Sequence, residues 1–232
     1  MRWLAQAGEK LFFFQNESKS LSYQVQGDAL MHNPQLPVMS YAQRISTSQS
    51  SALFLFSNMV YSYTDGEPEL LCTLAAYDPS KDLLLRALAA NDVLYLLQGT
   101  TLYQFSQKTG ELLAESSRYS DLCLGPNGAV FGWSYNMGTR QNELVPIQSG
   151  LEAGTPLCAL DTYDNAGLAW DAATGWFYWT QGNTLYRWDG EQASPLSLMP
   201  FHANDIVQAY AAGRTYAVLL EQGQYDLYNL SS

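Results

Sequence analysis

The stretch Trp176 to Glu191, WFYWTQGNTLYRWDGE, reads as an apolar strand, a tight turn at Gly182-Asn183, and a second strand closing on Asp189-Gly190. Two runs of strand-forming residues around a two-residue turn that carries Gly describe a β-hairpin. The pattern occurs 83 residues earlier as VLYLLQGTTLYQFSQKTGE, from Val93 to Glu111. Tyr95 then matches Tyr178, Gln98-Gly99 matches Gln181-Gly182, Thr101-Leu102-Tyr103 matches Thr184-Leu185-Tyr186, and Phe105 matches Trp188. A chain that repeats a hairpin in this way is built from copies of one supersecondary unit.

Working outward, comparable anchor strands begin at Leu11, Leu53, Val93, Ala129, Trp176 and Thr215, which lie 36 to 47 residues apart. A period near 40 with four short strands per unit is the pattern of a β-propeller, in which each blade has an apolar face that only its neighbours can cover. The expectation is an all-β chain: a six-bladed β-propeller of four-stranded antiparallel blades forming one domain over residues 1–232. The blades are placed at approximately 2–35, 36–73, 74–117, 118–160, 161–199 and 200–232. Residues 75–92, AAYDPSKDLLLRALAAND, have a helix-like Leu and Ala content, but their place in the repeat predicts a strand. The last unit ends at YDLYNLSS with no evident outer strand, so either that blade has three strands or its fourth lies in sequence beyond this chain.

Composition narrows the function classes. The net charge is −11 and only 11 residues are Lys or Arg. Phosphate backbones are bound by clustered cations, so nucleic acid is not expected as a partner, nor is an anionic membrane surface. A cationic ligand or a divalent metal fits the sign, although an acidic balance serves solubility equally well. Cys72, Cys123 and Cys158 are odd in number and lack CxxC spacing, which describes neither a disulfide framework nor a zinc site. They read as buried thiols acting as small hydrophobes. The first twenty residues include Glu9, Lys10, Glu17 and Lys19 and do not read as a secretory leader, and no 18-residue apolar run predicts membrane insertion.

Phe177-Tyr178-Trp179-Thr180, followed by Thr184-Leu185-Tyr186-Arg187 and Asp189-Gly190, resembles the YWTD repeat of low-density-lipoprotein-receptor-type propellers. The fourth position departs from that pattern, with Gln181 in place of Asp. The third unit keeps Tyr95, Leu102-Tyr103 and Gly110, and the second keeps Val60-Tyr61 and Asp65-Gly66. The resemblance implies a six-bladed, extracytoplasmic module that binds a protein, and the absence of disulfide-rich companions points to a divergent bacterial relative. It raises the expectation of binding over catalysis and fixes no ligand.

Candidate site residues sit in the loops that enter the innermost strands. Tyr41, Tyr77, Tyr119 and Tyr163 recur at spacings of 36, 42 and 44, with His202 39 residues later. Asp78, Asp82, Asp121, Asp161, Asp164 and Asp205 accompany them. In a propeller such loops surround one mouth of the central channel. The ligand-binding set is therefore Tyr77, Asp78, Tyr119, Asp121, Tyr163, Asp164, Trp170, His202 and Asp205, with Trp170 the best candidate for an exposed stacking platform and core packing its competing reading. Converging carboxylates suit Ca²⁺; the competing reading is that the Asp residues cap turns and the Tyr residues wedge between blades. No HExxH, G-x-S-x-G, P-loop or GxGxxG motif is present, so no catalytic residue is assigned. The expectation is a non-enzymatic module recognising a protein, peptide or glycan on one face. The alternatives are a calcium-dependent hydrolase or lactonase acting at the acidic mouth, and a structural domain of a larger surface protein.

Overall fold

The computed structural model describes the backbone of residues 3–7, 10–16, 19–26, 29–32, 43–47, 52–64, 66–81, 84–161, 165–172, 174–181, 184–198, 207–211, 214–221 and 224–229. Side chains are described within those segments between residues 52 and 196, except 165–166. Short β-rich runs separated by Gly, Asn and Asp turns give strands almost throughout. Two single 3₁₀ turns, at Pro126–Gly128 and Ser149–Leu151, are the other regular structure among the described residues.

The strands form sequential meanders. The first is β1 (Trp3–Ala7), β2 (Lys10–Asn16), β3 (Lys19–Gln26) and β4 (Ala29–His32), paired in that order. Two more are β5 (Gln43–Thr47), β6 (Ala52–Phe56), β7 (Met59–Tyr63), β8 (Glu69–Thr73) and then β9 (Leu84–Ala90), β10 (Val93–Gln98), β11 (Thr101–Ser106), β12 (Leu112–Ser116). These two join into one eight-stranded sheet through a parallel ladder between their first strands, Ser46 opposite Leu88 and Thr47 opposite Ala89. The helix-like Leu84–Ala90 run is thus a strand, held on both sides by neighbours that outweigh its local preference.

A further meander is β13 (Tyr119–Leu124), β14 (Val130–Asn136), β15 (Gln141–Pro146) and β16 (Cys158–Leu160). The next is β17 (Asn165–Asp171), β18 (Trp176–Gln181), β19 (Thr184–Trp188) and β20 (Ala193–Leu198). The last sheet has three strands, β21 (Val207–Ala211), β22 (Arg214–Glu221) and β23 (Gln224–Asn229). The chain divides into two compact units, residues 1–99 with 103–115 and 209–213, and residues 100–102 with 116–208 and 214–232.

Each unit has its own apolar packing. In the first, Leu53, Phe54, Leu55 and Val60 pack with Leu74, Leu84, Leu94, Leu96 and Phe105. In the second, Phe131, Trp133 and Leu144 from one meander meet Leu168, Phe177 and Trp179 from the next. Trp133 and Trp179 are fully buried and meet edge to face, 5.3 Å between centroids. That geometry sets the positive rim of one indole against the negative face of the other. Trp179 also stacks on Tyr186, its ladder partner across the strand pair, at 5.9 Å and 8°. The cysteines are free; burial raises the Cys72 thiol above its ordinary value and pushes Cys158 up to about 12. Both thiols therefore stay protonated and unreactive at neutral pH.

The join between meanders differs between the units. β13 and β17 are first strands of consecutive meanders, but they belong to separate sheets. The register slips in β13 between Tyr119 and Asp121, and in β17 between Ala166 and Ala169. Bulges of this kind withdraw backbone groups from the ladder. The buried Asp121 carboxylate meets them: it accepts the Leu122 N–H at 2.8 Å and the Leu168 N–H at 3.0 Å. A carboxylate across two strands here takes the place of the β5–β9 ladder.

Gly110 shows how close the meanders of the first unit come. It follows β11 at a φ of +73°, and a Cβ there would stand 2.0 Å from the Thr73 carbonyl oxygen at the end of β8. Ala75 N–H donates to the Gly110 carbonyl at 3.2 Å. Gly66 has a similar φ of +81° but open space around it. Gly66→Ala should therefore cost only the backbone strain, about 1 kcal/mol. Gly110→Ala should cost at least about 3 kcal/mol, because a rigid backbone atom must also move; urea denaturation of the pair checks the difference. Asp121→Ala, which orphans two buried N–H groups, should lose roughly 2–4 kcal/mol by the same measurement. Asp121→Asn, keeping one acceptor oxygen, should lose less.

Candidate functional site

The connection from β8 to β9 carries Tyr77 and Asp78. Tyr77 is buried, with its ring edge-on to Phe105 at 6.4 Å and 86°. Burial, and to a lesser degree the negative charge of Asp78, pushes its hydroxyl up to about 12. Asp78 starts a tight turn: its Oδ1 accepts from the Ser80 N–H at 2.9 Å and from the Ser80 hydroxyl at 2.6 Å. Those bonds, with the positive charge of Lys81 a smaller contributor, hold the Asp78 carboxyl below the ordinary carboxylate range. Gln98 closes the loop from the other side by donating its Nε2 to the Asp78 carbonyl at 2.9 Å.

In the second unit Tyr119 and Asp121 lie within β13 itself and not in the loop that enters it. The Tyr119 hydroxyl donates to the Leu151 carbonyl at 2.9 Å, and burial raises its ionisation above the usual phenol range. Asp121 binds the two backbone N–H groups described above. Trp170 is half-buried at the side of the cluster around Trp133 and Trp179. Asp121 and Trp170 come together only in the sense that Leu168, the carboxylate's partner, lies on the same strand as Trp170. Tyr41, Tyr163, Asp164, His202 and Asp205 lie outside the described residues, as do Asp82 and the turns at 182–183 and 222–223.

Calcium takes about six to eight oxygen ligands, usually including several carboxylates. Among the described residues no group of three His, Cys, Asp or Glu side chains is placed to hold a metal ion. Asp78 turns its oxygen to backbone and hydroxyl donors of its own turn, and Asp121 turns its oxygens to backbone N–H groups of β13 and β17. The described part of the mouth set therefore does not make a calcium cage.

Other features were not picked out from the sequence. Arg187 lies over the Trp176 ring, 4.3 Å from its centroid, a cation–π contact on a single sheet. Large apolar side chains stand exposed on the last strands of meanders: Leu70 and Leu71 on β8, Leu112 and Leu113 on β12, and Leu196 on β20. The signal was available, since ELLCT and LLAES each open a last strand with paired leucines, but their exposure depends on the packing of both faces.

No protein-family model matches the sequence, and no curated protein does. Solved structures do match its fold. A protein assigned as a gluconolactonase is 13% identical, with a TM-score of 0.64, over 100% of this chain and 91% of that one. A gluconolactonase from Xanthomonas campestris is 13% identical, with a TM-score of 0.59, over 93% of this chain and 82% of that one. A chain of a nidogen/laminin complex is 10% identical, with a TM-score of 0.61, over 99% and 89%. Such identities speak to fold alone, and with the sequential four-stranded meanders they lead to one conclusion: the chain has the β-propeller fold.

Proposed function

We infer that the chain is a six-bladed, single-domain propeller of the YWTD type and that it acts as a binding module for a protein, peptide or glycan. The observation that carries this reading is the use to which the described loop residues are put. Tyr77 and Tyr119 are buried and held neutral, Asp78 caps its turn, and Asp121 ties two strands. General acid–base or metal chemistry needs a titratable group free to face a substrate; Tyr77, Tyr119 and Asp121 are buried, and the Asp78 carboxylate is held by the donors of its own turn.

A calcium-dependent lactonase is the second reading, favoured by the two gluconolactonase neighbours. Thermal unfolding with millimolar Ca²⁺ and then with EDTA separates the two. A ligand at a hundred times its Kd adds about 2.7 kcal/mol to the folded state, which is roughly 5–10 °C for a chain of this size. The binding-module reading expects no such shift and no calcium-dependent hydrolysis of gluconolactone; either response would replace it with the lactonase.

The role of Tyr77 in the core makes a separate prediction. Its ionisation is raised in the folded state, so its contribution is complete below the unfolded value near 10 and is lost as pH rises toward 12. Between those limits each proton retained by the folded state steepens the decline of stability by about 1.4 kcal/mol per pH unit. Tyr77→Phe should flatten the alkaline limb measured by urea titration. An unchanged slope would mean that the hydroxyl ionises freely in a solvated loop.

A further inference from the structure

The last strand of a meander has a hydrogen-bonded neighbour on one side only, and exposed edges of this kind recruit further strands unless something blocks them. Two of the meanders block theirs. β20 carries Pro195, which cannot donate to an added strand, and β16 is only three residues long. β8 and β12 are each five residues long, with neither Pro nor Lys within them, and stand at opposite ends of the eight-stranded sheet order. Leu70 and Leu113 are both 55% exposed, and Leu71 and Leu112 are exposed beside them. Consecutive exposed residues point to opposite faces of a strand, so neither face of either strand is covered at that point.

The turn before β12 also reaches the end of β8. The end of β8 at Thr73 abuts Gly110, the Ala75 N–H donates to the Gly110 carbonyl, and β12 starts two residues later at Leu112. Glu67, Glu69, Glu111 and Glu115 flank the leucines and are exposed. The lysine of this region, Lys108, is held by Asp92 at 2.6 Å. A second copy of the chain would bring the same acids against these acids, on a protein of net charge −11. A basic partner would find complementary charge around an apolar strip.

We propose that the open margins of β8 and β12 are docking edges, each for an extended, basic segment of a partner polypeptide bound by strand addition. Backbone groups of the segment pair with the open edge, its apolar side chains cover the exposed leucines of that edge, and its Lys or Arg residues face the glutamates. The proposal rests on the reading of the chain as a binding module and places the contact on a strand margin instead of the channel mouth.

The test uses a fluorescein-labelled ten-residue peptide of alternating lysine and valine, followed by fluorescence anisotropy. The controls are the same peptide with glutamate for lysine and a version N-methylated at alternate residues. The native chain is expected to bind the lysine peptide, with the N-methylated and acidic peptides at least tenfold weaker. Leu70→Lys combined with Leu113→Lys should weaken binding at least tenfold with an unchanged melting temperature. If that variant folds poorly, Glu67→Gln, Glu69→Gln and Glu115→Gln together should weaken binding severalfold. Equal binding by native chain and variants, or by basic and N-methylated peptides, overturns the proposal. Sedimentation showing a native dimer that the leucine variant abolishes assigns the edge to a second copy and also overturns it. Calcium-dependent lactone hydrolysis would defeat the binding-module reading by itself; absence of hydrolysis with no peptide binding would defeat only the docking edge.

Discussion

A four-stranded meander cannot exist alone in water, because hydrogen bonding satisfies its backbone but leaves two broad apolar faces. In the second unit the facing surfaces of two consecutive meanders close on each other, and the contact between Trp133 and Trp179 is the clearest instance. Both indoles are fully buried, each supplied by the second strand of its own meander, and they meet at 5.3 Å. Phe131 and Phe177 repeat the arrangement one alternate position away on the same two strands, at 4.9 Å. The aromatic content of the sequence is used here: large flat side chains fill the wedge between two twisted sheets. The hairpin turns, the glycine at 110 and the bulges in β13 and β17 are positioned by the need to bring those faces together.

The repeat was legible because it rests on local chemistry. Alternation along Trp176–Gln181, a turn, and a second alternation at Thr184–Trp188 specify a hairpin wherever they occur. The same signal placed β9 as a strand against its own composition. Less legible was the use of the loop residues. Asp78 and Asp121 look alike in sequence, each an acid near a recurring tyrosine, but one caps an exposed turn and the other is buried between strands. The difference is made by bulges in β13 and β17, and a one-residue slip in register leaves no mark in composition. Trp170, for which an exposed platform and core packing both stood open, is half-buried against side chains from a meander some forty residues away.

The two kinds of join between first strands show how a repeated architecture absorbs divergence. A parallel ladder of backbone bonds links β5 and β9. The β13–β17 join adds to its packing a bond from one side chain, the Asp121 carboxylate. Position 121 is therefore constrained through its polar group, whereas the ladder uses backbone groups that any residue supplies.

The meander order has a consequence for how the chain reaches its fold. Apart from the β5–β9 ladder, every described strand pairs with the strand before or after it in sequence, mostly across short turns, with the connection from β15 to β16 the longest. Closing such short loops loses little chain entropy, and topologies dominated by near-neighbour contacts fold faster than those that must first bring distant segments together. Each meander can assemble its hairpins as its own segment becomes available. The sequence-distant contacts, the two-residue ladder and the Asp121 bond that spans 47 residues, then register one meander against the next. Adding a further meander of this kind to such a chain requires no new long-range instruction beyond such a join.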